Sequence, residues 1–191
     1  MPTVLAGTQT DLTDSPENIV LYLIRDKWNL LQDGQIPAKD EITFSLFGWT
    51  GRKNYQISVE PSSAPIITPM NIGQDQYLKY NDPILIHTWI IKNRDIVPPQ
   101  LHHITQRIEQ VIFENVTNVG YGITGIKLLA PFSAIEERRV FVGSAFPNQT
   151  EISLWHSTAM VELLYFRVTT GALSSVKTSK THKYDIEIIE E

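Results

Sequence analysis

The chain has 191 residues, a formal net charge of -5, a pI of about 5.5 and no cysteine. This length allows one domain with a substantial hydrophobic core, and the acidic balance disfavours general binding to nucleic acids or anionic membranes. The absence of cysteine excludes disulfides, thiol nucleophiles, cysteine-ligated zinc and iron–sulfur clusters.

The N-terminal part of the chain predicts an arm followed by a helix. Residues 1–13 are small and polar, so we expect a flexible arm. They also lack the basic and apolar regions of a secretory signal. Asp14 and Glu17 then resemble a capping box, Pro16 suits the first turn of the helix, and Gly34 is expected to end it. The predicted apolar face of this helix consists of Val20, Leu23, Ile24, Trp28 and Leu31.

Two short segments with alternating apolar residues follow. Residues 41–49 and 55–59 predict a β-hairpin whose turn carries Arg52 and Lys53. Residues 61–82 are rich in proline, which cannot donate a hydrogen bond to a strand ladder, so this segment predicts a long loop. The prolines that support this prediction are Pro61, Pro65 and Pro69, with Pro83 directly after the segment.

The middle of the chain predicts a buried strand and a second helix. Residues 84–91, ILIHTWII, are apolar on both faces, which is typical of a central strand covered on both sides or by an oligomer partner. Pro98 and Pro99 open the helix, whose apolar stripe is Leu101, Ile104, Ile108, Val111 and Ile112. Further strands are predicted over residues 123–129, 139–142 and 159–168.

This order of elements predicts an α+β fold, in which a mainly antiparallel sheet carries two helices packed on one face. A single domain is expected over residues 14–170, with the long loop at 61–82 as an insertion. Residues 171–191 form a polar C-terminal tail, interpreted either as a frayed terminus or as a segment that a partner orders.

No catalytic motif stands out, so we assign no catalytic, cofactor-binding or metal-binding residue and interpret the chain as a non-enzyme. His102 and His103 are neighbours on the predicted helix, which directs their side chains about 100° apart and favours solvent exposure. His87 and His156 lie in or near predicted strands. A metal or acid–base role is weighed there against a neutral histidine bonded to nearby backbone, and the second interpretation is preferred.

The last candidate functional residues are charged and lie in the final predicted strand and in the segment before it. Glu162 and Arg167 lie inside the most apolar strand, where charges are costly unless paired. They indicate one of two arrangements. The strand either lies at a subunit interface or ring lumen, or it is an edge strand with one face exposed to solvent. Residues 136–139, with the sequence EERR, are interpreted as a solvated turn.

The segments ILIHTWIIKNRD, QLHHITQRIEQVIFEN and AMVELLYFRV, in this order after an N-terminal helix, resemble the tail-terminator and tail-completion proteins of long-tailed viruses. The resemblance covers roughly residues 15–169 and rests on element order. It implies a structural virion protein, assembled in the host cytoplasm, that forms a hexameric ring. Such a ring would end the tail tube and join it to the head connector, with passive DNA contact in the lumen and no membrane.

The resemblance implies neither catalysis nor a cofactor. The interface residues proposed with it are Trp49, Arg52, Lys53, Glu162 and Arg167.

Two other functions stay open from sequence. A non-catalytic binding module could use Trp49, Tyr55 and the 61–82 segment to hold a ligand or polypeptide. A small metal-dependent hydrolase or nuclease could use His87, His156 and a carboxylate such as that of Glu60.

Overall fold

The computed structural model describes residues 15–28, 36–72, 75–92, 98–117, 119, 123–142 and 150–168. The predicted N-terminal arm, the helix end at Gly34 and the C-terminal tail lie outside these residues. In chain order the elements are α1 (Pro16–Lys27), a 3-10 turn (Lys39–Glu41), β1 (Ile42–Leu46), β2 (Tyr55–Pro61), β3 (Ile66–Ile72), β4 (Asp75–Ile91), α2 (Pro98–Glu114), β5 (Gly125–Ala130), β6 (Glu136–Val142) and β7 (Thr150–Val168).

The strands form one mixed seven-stranded sheet, so the fold is α+β. Its main path is β1-β2-β4-β7-β5, with β3 also paired to β4 and β6 also paired to β7. The two long strands, β4 and β7, run antiparallel from the pair Tyr77 and Val168 to the pair Ile91 and Leu154. On the edge that faces away from β7, β4 pairs first with β3 and then with β2. On the edge that faces away from β4, β7 pairs first with β6 and then with β5.

The predicted hairpin of residues 41–59 is wrong, because β1 and β2 pair in parallel from Ile42 opposite Tyr55 to Leu46 opposite Val59. The connection between them has positive φ at Phe47, Gly48 and Gly51, which lets the chain turn and run back beside β1. Alternation of apolar residues indicates strands but does not distinguish parallel from antiparallel pairing.

The long loop predicted over residues 61–82 is also wrong, since β3 and the first part of β4 form an antiparallel pair there. Pro69 is compatible with β3 because this strand pairs only with β4 in the described part of the chain. Pro83 is compatible with β4 because it lies where the neighbouring strand changes. There β2 pairs with β4 from Ile84 onwards and β3 pairs with it up to Asn81.

The hydrophobic core joins alternate residues of the central strands to the apolar sides of both helices. The strand residues are Ile57, Val59, Ile84, Ile86, Ile90, Val161, Leu163 and Tyr165. The predicted stripe of α2 is buried in this core, as are Val20, Leu23, Ile24 and Trp28 of α1. We call the opposite side of the sheet, formed by the side chains that alternate with these strand residues, the back face.

The helix ends differ in detail from the prediction. Ser15, not Asp14, is the N-cap of α1, and its side-chain oxygen accepts a hydrogen bond from the Asn18 N–H at 3.4 Å. Arg107 is not part of the predicted apolar stripe of α2, yet its side chain is buried, with 3% of the residue exposed. Among the described residues, no helix has the length and apolar character needed to cross a membrane.

Candidate functional site

Four neighbouring strands bring two histidines and two glutamates into a row on the back face. The row consists of Glu60 on β2, His87 on β4, His156 on β7 and Glu136 on β6. Strand register explains this arrangement, because Thr158 lies opposite His87 and Glu136 lies opposite His156. Residues two apart on a strand share a face, so Thr158 lies next to His156 on the same side.

Hydrogen bonds connect the row from end to end. Nε2 of His87 lies 3.1 Å from Oε1 of Glu60, and Nδ1 of His156 lies 3.1 Å from Oε1 of Glu136. Between the rings, Nδ1 of His87 and Nε2 of His156 are 3.0 Å apart. The Thr158 hydroxyl oxygen lies 3.1 Å from each of these two nitrogens.

The two imidazoles meet edge to edge. Their centroids are 5.2 Å apart and their planes differ by 19°. Because the two nitrogens are 3.0 Å apart, the centroids are almost as far apart as they can be, which requires both nitrogens to lie between the two rings. The facing nitrogens therefore point towards each other. The Trp89 ring lies against His156 at a centroid distance of 3.9 Å, and its indole N–H donates to the Ser58 hydroxyl at 2.9 Å. The hydrogen bond to Ser58 holds the indole against the His156 ring.

Both imidazoles are largely removed from water. The side chain of His156 is 1% exposed and that of His87 is 12% exposed. Burial lowers the pKa of His156 to about 4, despite the hydrogen bond to Glu136. Burial also lowers the pKa of His87 and outweighs the opposing effect of the Glu60 carboxylate. Each ring is therefore neutral at neutral pH and carries a single N–H.

The carboxylates determine which nitrogen carries that hydrogen. An ionised carboxylate only accepts hydrogen bonds, so the His87 proton lies on Nε2, facing Glu60, and the His156 proton lies on Nδ1, facing Glu136. Hydrogen bonds from His156 and Arg138 lower the pKa of Glu136, which keeps this carboxyl ionised. The two inner nitrogens are left with lone pairs directed at each other, and the Thr158 hydroxyl can donate to only one of them.

This arrangement overturns the preferred interpretation of His87 and His156 as residues satisfied by backbone groups. Their partners are side chains, and the three residues named for the metal-dependent alternative, Glu60, His87 and His156, lie together. Glu136 was missed because residues 136–139 were interpreted as a turn, whereas they form the start of β6. In the described ranges, no group of three or more His, Asp or Glu side chains surrounds a common metal position.

None of the predicted interface residues belongs to this row. Trp49 is half-buried in the connection between β1 and β2, and Arg52 is exposed in the same connection. Lys53 is bound rather than free, because its ammonium donates to the carbonyls of Asp40 and Ile42.

The two interface candidates on β7 are placed by its strand pairing. Glu162 is half-buried on the back face, where β7 is flanked by both β4 and β5, so the edge-strand interpretation of this residue is wrong. Arg167 pairs with Leu78 through the backbone, and its side chain lies outside the described set.

A separate pocket lies between α2 and the segment that connects β5 to β6. Its polar lining consists of His102, Thr105, Gln106, Glu109, Ser133 and Ser157. Ser157 precedes Thr158 on β7 and projects to the opposite side of the sheet, so this pocket does not open onto the histidine row.

Comparison with known proteins gives no assignment. A scan against protein-family models matches no family, and a search of curated proteins finds no significant match.

Proposed function

We propose that the protein is a structural subunit that assembles with copies of itself into a ring at the end of a viral tail tube, next to the head connector. In this proposal the mainly antiparallel sheet carries both helices on one face, and its projecting strand ends contact neighbouring subunits. The resemblance to tail-terminator and tail-completion proteins motivates the proposal. The observation that carries it is the apolar surface exposed on two edge strands.

The first apolar surface belongs to β3, where Ile66 is 64% exposed, Ile67 48% and Met70 36%. The second belongs to β6, where Phe141 is 66% exposed. Edge strands with large exposed apolar side chains favour pairing with another chain, and proteins that stay monomeric usually protect such edges with charges or covering segments. We call these surfaces the β3 edge and the β6 edge.

The two edges lie at opposite ends of the long β4–β7 ladder. The β3 edge follows the beginning of β4, from Asp75 to Asn81, whereas the β6 edge follows the beginning of β7, from Thr150 to His156. They also lie on opposite sides of this ladder. A contact between the β3 edge of one copy and the β6 edge of the next is heterologous, and such contacts form a ring when the rotation between copies closes.

Light scattering after size-exclusion chromatography, combined with electron microscopy, tests the proposal. Wild-type protein is expected to show a closed multimer, and Phe141→Ser is expected to shift the mass towards that of one chain. Phe113→Ser provides a matched control, because Phe113 is 64% exposed but lies on α2. A wild-type protein that is strictly monomeric and binds neither tail-tube nor connector proteins would contradict the proposal.

A further inference from the structure

We infer that His87 and His156 bind a first-row transition metal ion of the Zn²⁺ type, with the Thr158 hydroxyl beside the remaining coordination positions. The inference rests on the histidine row of the back face. It does not depend on the ring proposal.

The outer hydrogen bonds are those of metal-bound histidines. A histidine that binds a metal through one nitrogen almost always donates its other N–H to a carboxylate, a backbone carbonyl or water, which fixes the tautomer and the ring orientation. Here both histidines donate outward to glutamates, at 3.1 Å each. The free lone pairs consequently both point inward, where a cation would bind.

A positive partner between the inner nitrogens would also relieve the contact between them. Two lone pairs that face each other across 3.0 Å repel, and burial of both rings removes most of the water that could weaken this repulsion. A divalent ion between them turns both lone pairs into ligands. The carboxylates of Glu60 and Glu136 place negative charge beside the ion, and the Arg138 guanidinium, 2.6 Å from Glu136, offsets part of it.

Distances fit such an ion after a small adjustment. Two imidazoles that share a tetrahedral Zn²⁺ through bonds of about 2.0–2.1 Å hold their centroids about 5.2 Å and their ligating nitrogens about 3.4 Å apart. The centroids of His87 and His156 are already 5.2 Å apart. A small rotation of the rings would widen the 3.0 Å nitrogen contact enough to admit the ion.

Thr158 borders the site. Its hydroxyl oxygen completes a triangle with the two nitrogens, at 3.1 Å from each, so it can bond to a water molecule on the ion.

Imidazole ligands suit Zn²⁺, Cu²⁺ and Ni²⁺, whereas Mg²⁺ and Ca²⁺ prefer oxygen ligands. Both glutamates are occupied by the imidazoles, which favours a metal that joins strands over one that activates water for hydrolysis.

Calorimetric titration of the chelator-treated full chain with Zn²⁺ tests the inference, with Mg²⁺ as the control ion. We expect one Zn²⁺ per chain and no heat with Mg²⁺. Glu60→Gln keeps the side-chain shape but removes the charge, and it should weaken Zn²⁺ binding by about 10–100-fold, the usual effect of changing an outer partner of a metal ligand. His156→Gln should abolish binding.

His102→Gln is the matched control, since His102 is an exposed histidine on α2. It should leave Zn²⁺ binding unchanged, and a loss of binding in this variant alone would overturn the inference by locating the ion on the helix surface. Co²⁺ provides a second readout, because a tetrahedral site gives visible absorption bands that His156→Gln should remove.

If His156→Gln does not fold, the folded Glu60→Gln variant decides the question by its weakened affinity. An absence of Zn²⁺ binding to wild-type protein would overturn the inference, and a proton shared between the nitrogens would then account for their contact.

Discussion

Arg107 joins the two helices through a single buried side chain. One terminal nitrogen donates to the Lys27 carbonyl at 2.6 Å, at the end of α1, and the other donates to the Gln110 side chain at 3.2 Å. Carbonyl groups at a helix C-terminus lack partners within the helix and carry partial negative charge, so a guanidinium is favourable there. Arg107 therefore stabilises the helix pair that covers the core.

Arg107→Met should lower the free energy of unfolding by about 1–3 kcal/mol, because it keeps most of the apolar stem but leaves the partly buried Lys27 carbonyl without its charged donor. Urea denaturation measures the change. Arg139→Met is the control: Arg139 pairs with Glu151 at 3.2 Å, and its side chain is 69% exposed. An exposed ion pair contributes about 0–1 kcal/mol. Equal effects of the two substitutions would contradict the role given to Arg107.

Among the secondary-structure elements, the parallel pair of β1 and β2 depends on the connection between them, and Gln56 holds that connection. The Gln56 side chain is buried, and its oxygen accepts hydrogen bonds from the N–H and the hydroxyl of Thr50, each at 2.9 Å. Its nitrogen donates to the Ser45 hydroxyl at 2.9 Å and to the Gly48 carbonyl. One side chain thus bonds to the end of β1 and to the returning loop.

Gln56→Ala should destabilise the protein by about 2–4 kcal/mol, since it removes the several hydrogen bonds that this buried side chain makes. Hydrogen exchange should also show faster exchange of the β1 amides than of those in β7. Gln106→Ala, an exposed change on α2, should alter neither quantity. Unchanged protection of β1 in Gln56→Ala would show that the parallel pairing does not need this side chain.

Periodicity predicted the helices and the long strands better than it predicted their pairing. The apolar positions of α2 repeat with the helical period, and all five predicted stripe residues are buried. Proline content was misleading over residues 61–82, because Pro69 lies on an edge strand and Pro83 lies at the change from β3 to β2 along β4. Composition cannot reveal such positions, because they depend on neighbouring strands.

The histidine row was only partly visible in the sequence for the same reason. The alternation of residues 84–91 places His87 and Trp89 on one side of β4, and β7 places His156 and Thr158 on one side. Which residues face each other depends on the register between β4 and β7, which are separated along the chain by residues 92–149. Glu136 joins the row only because β6 begins at that residue.

Across the whole molecule, the proposed assembly edges and the proposed metal site occupy different places. Phe141 lies opposite Glu151 on β7, five residues before His156, and its side chain projects to the side of the sheet opposite the histidine row. The residues of the β3 edge lie on β3, which pairs with β4 before the segment that carries His87. Sites without shared partners usually respond independently to substitution.

Phe141→Ser and Glu60→Gln should therefore separate the two properties. Phe141→Ser is expected to reduce the mass in solution while one Zn²⁺ still binds per chain, whereas Glu60→Gln should weaken Zn²⁺ binding and leave the mass unchanged. Zn²⁺ at about 100 times its dissociation constant should raise the free energy of unfolding by about 2.7 kcal/mol in both the assembled and the single-chain form, because the ion binds the folded state. Thermal melts with and without Zn²⁺, run beside light scattering, check both outcomes. Loss of Zn²⁺ binding in Phe141→Ser would show instead that subunit contacts complete the metal site.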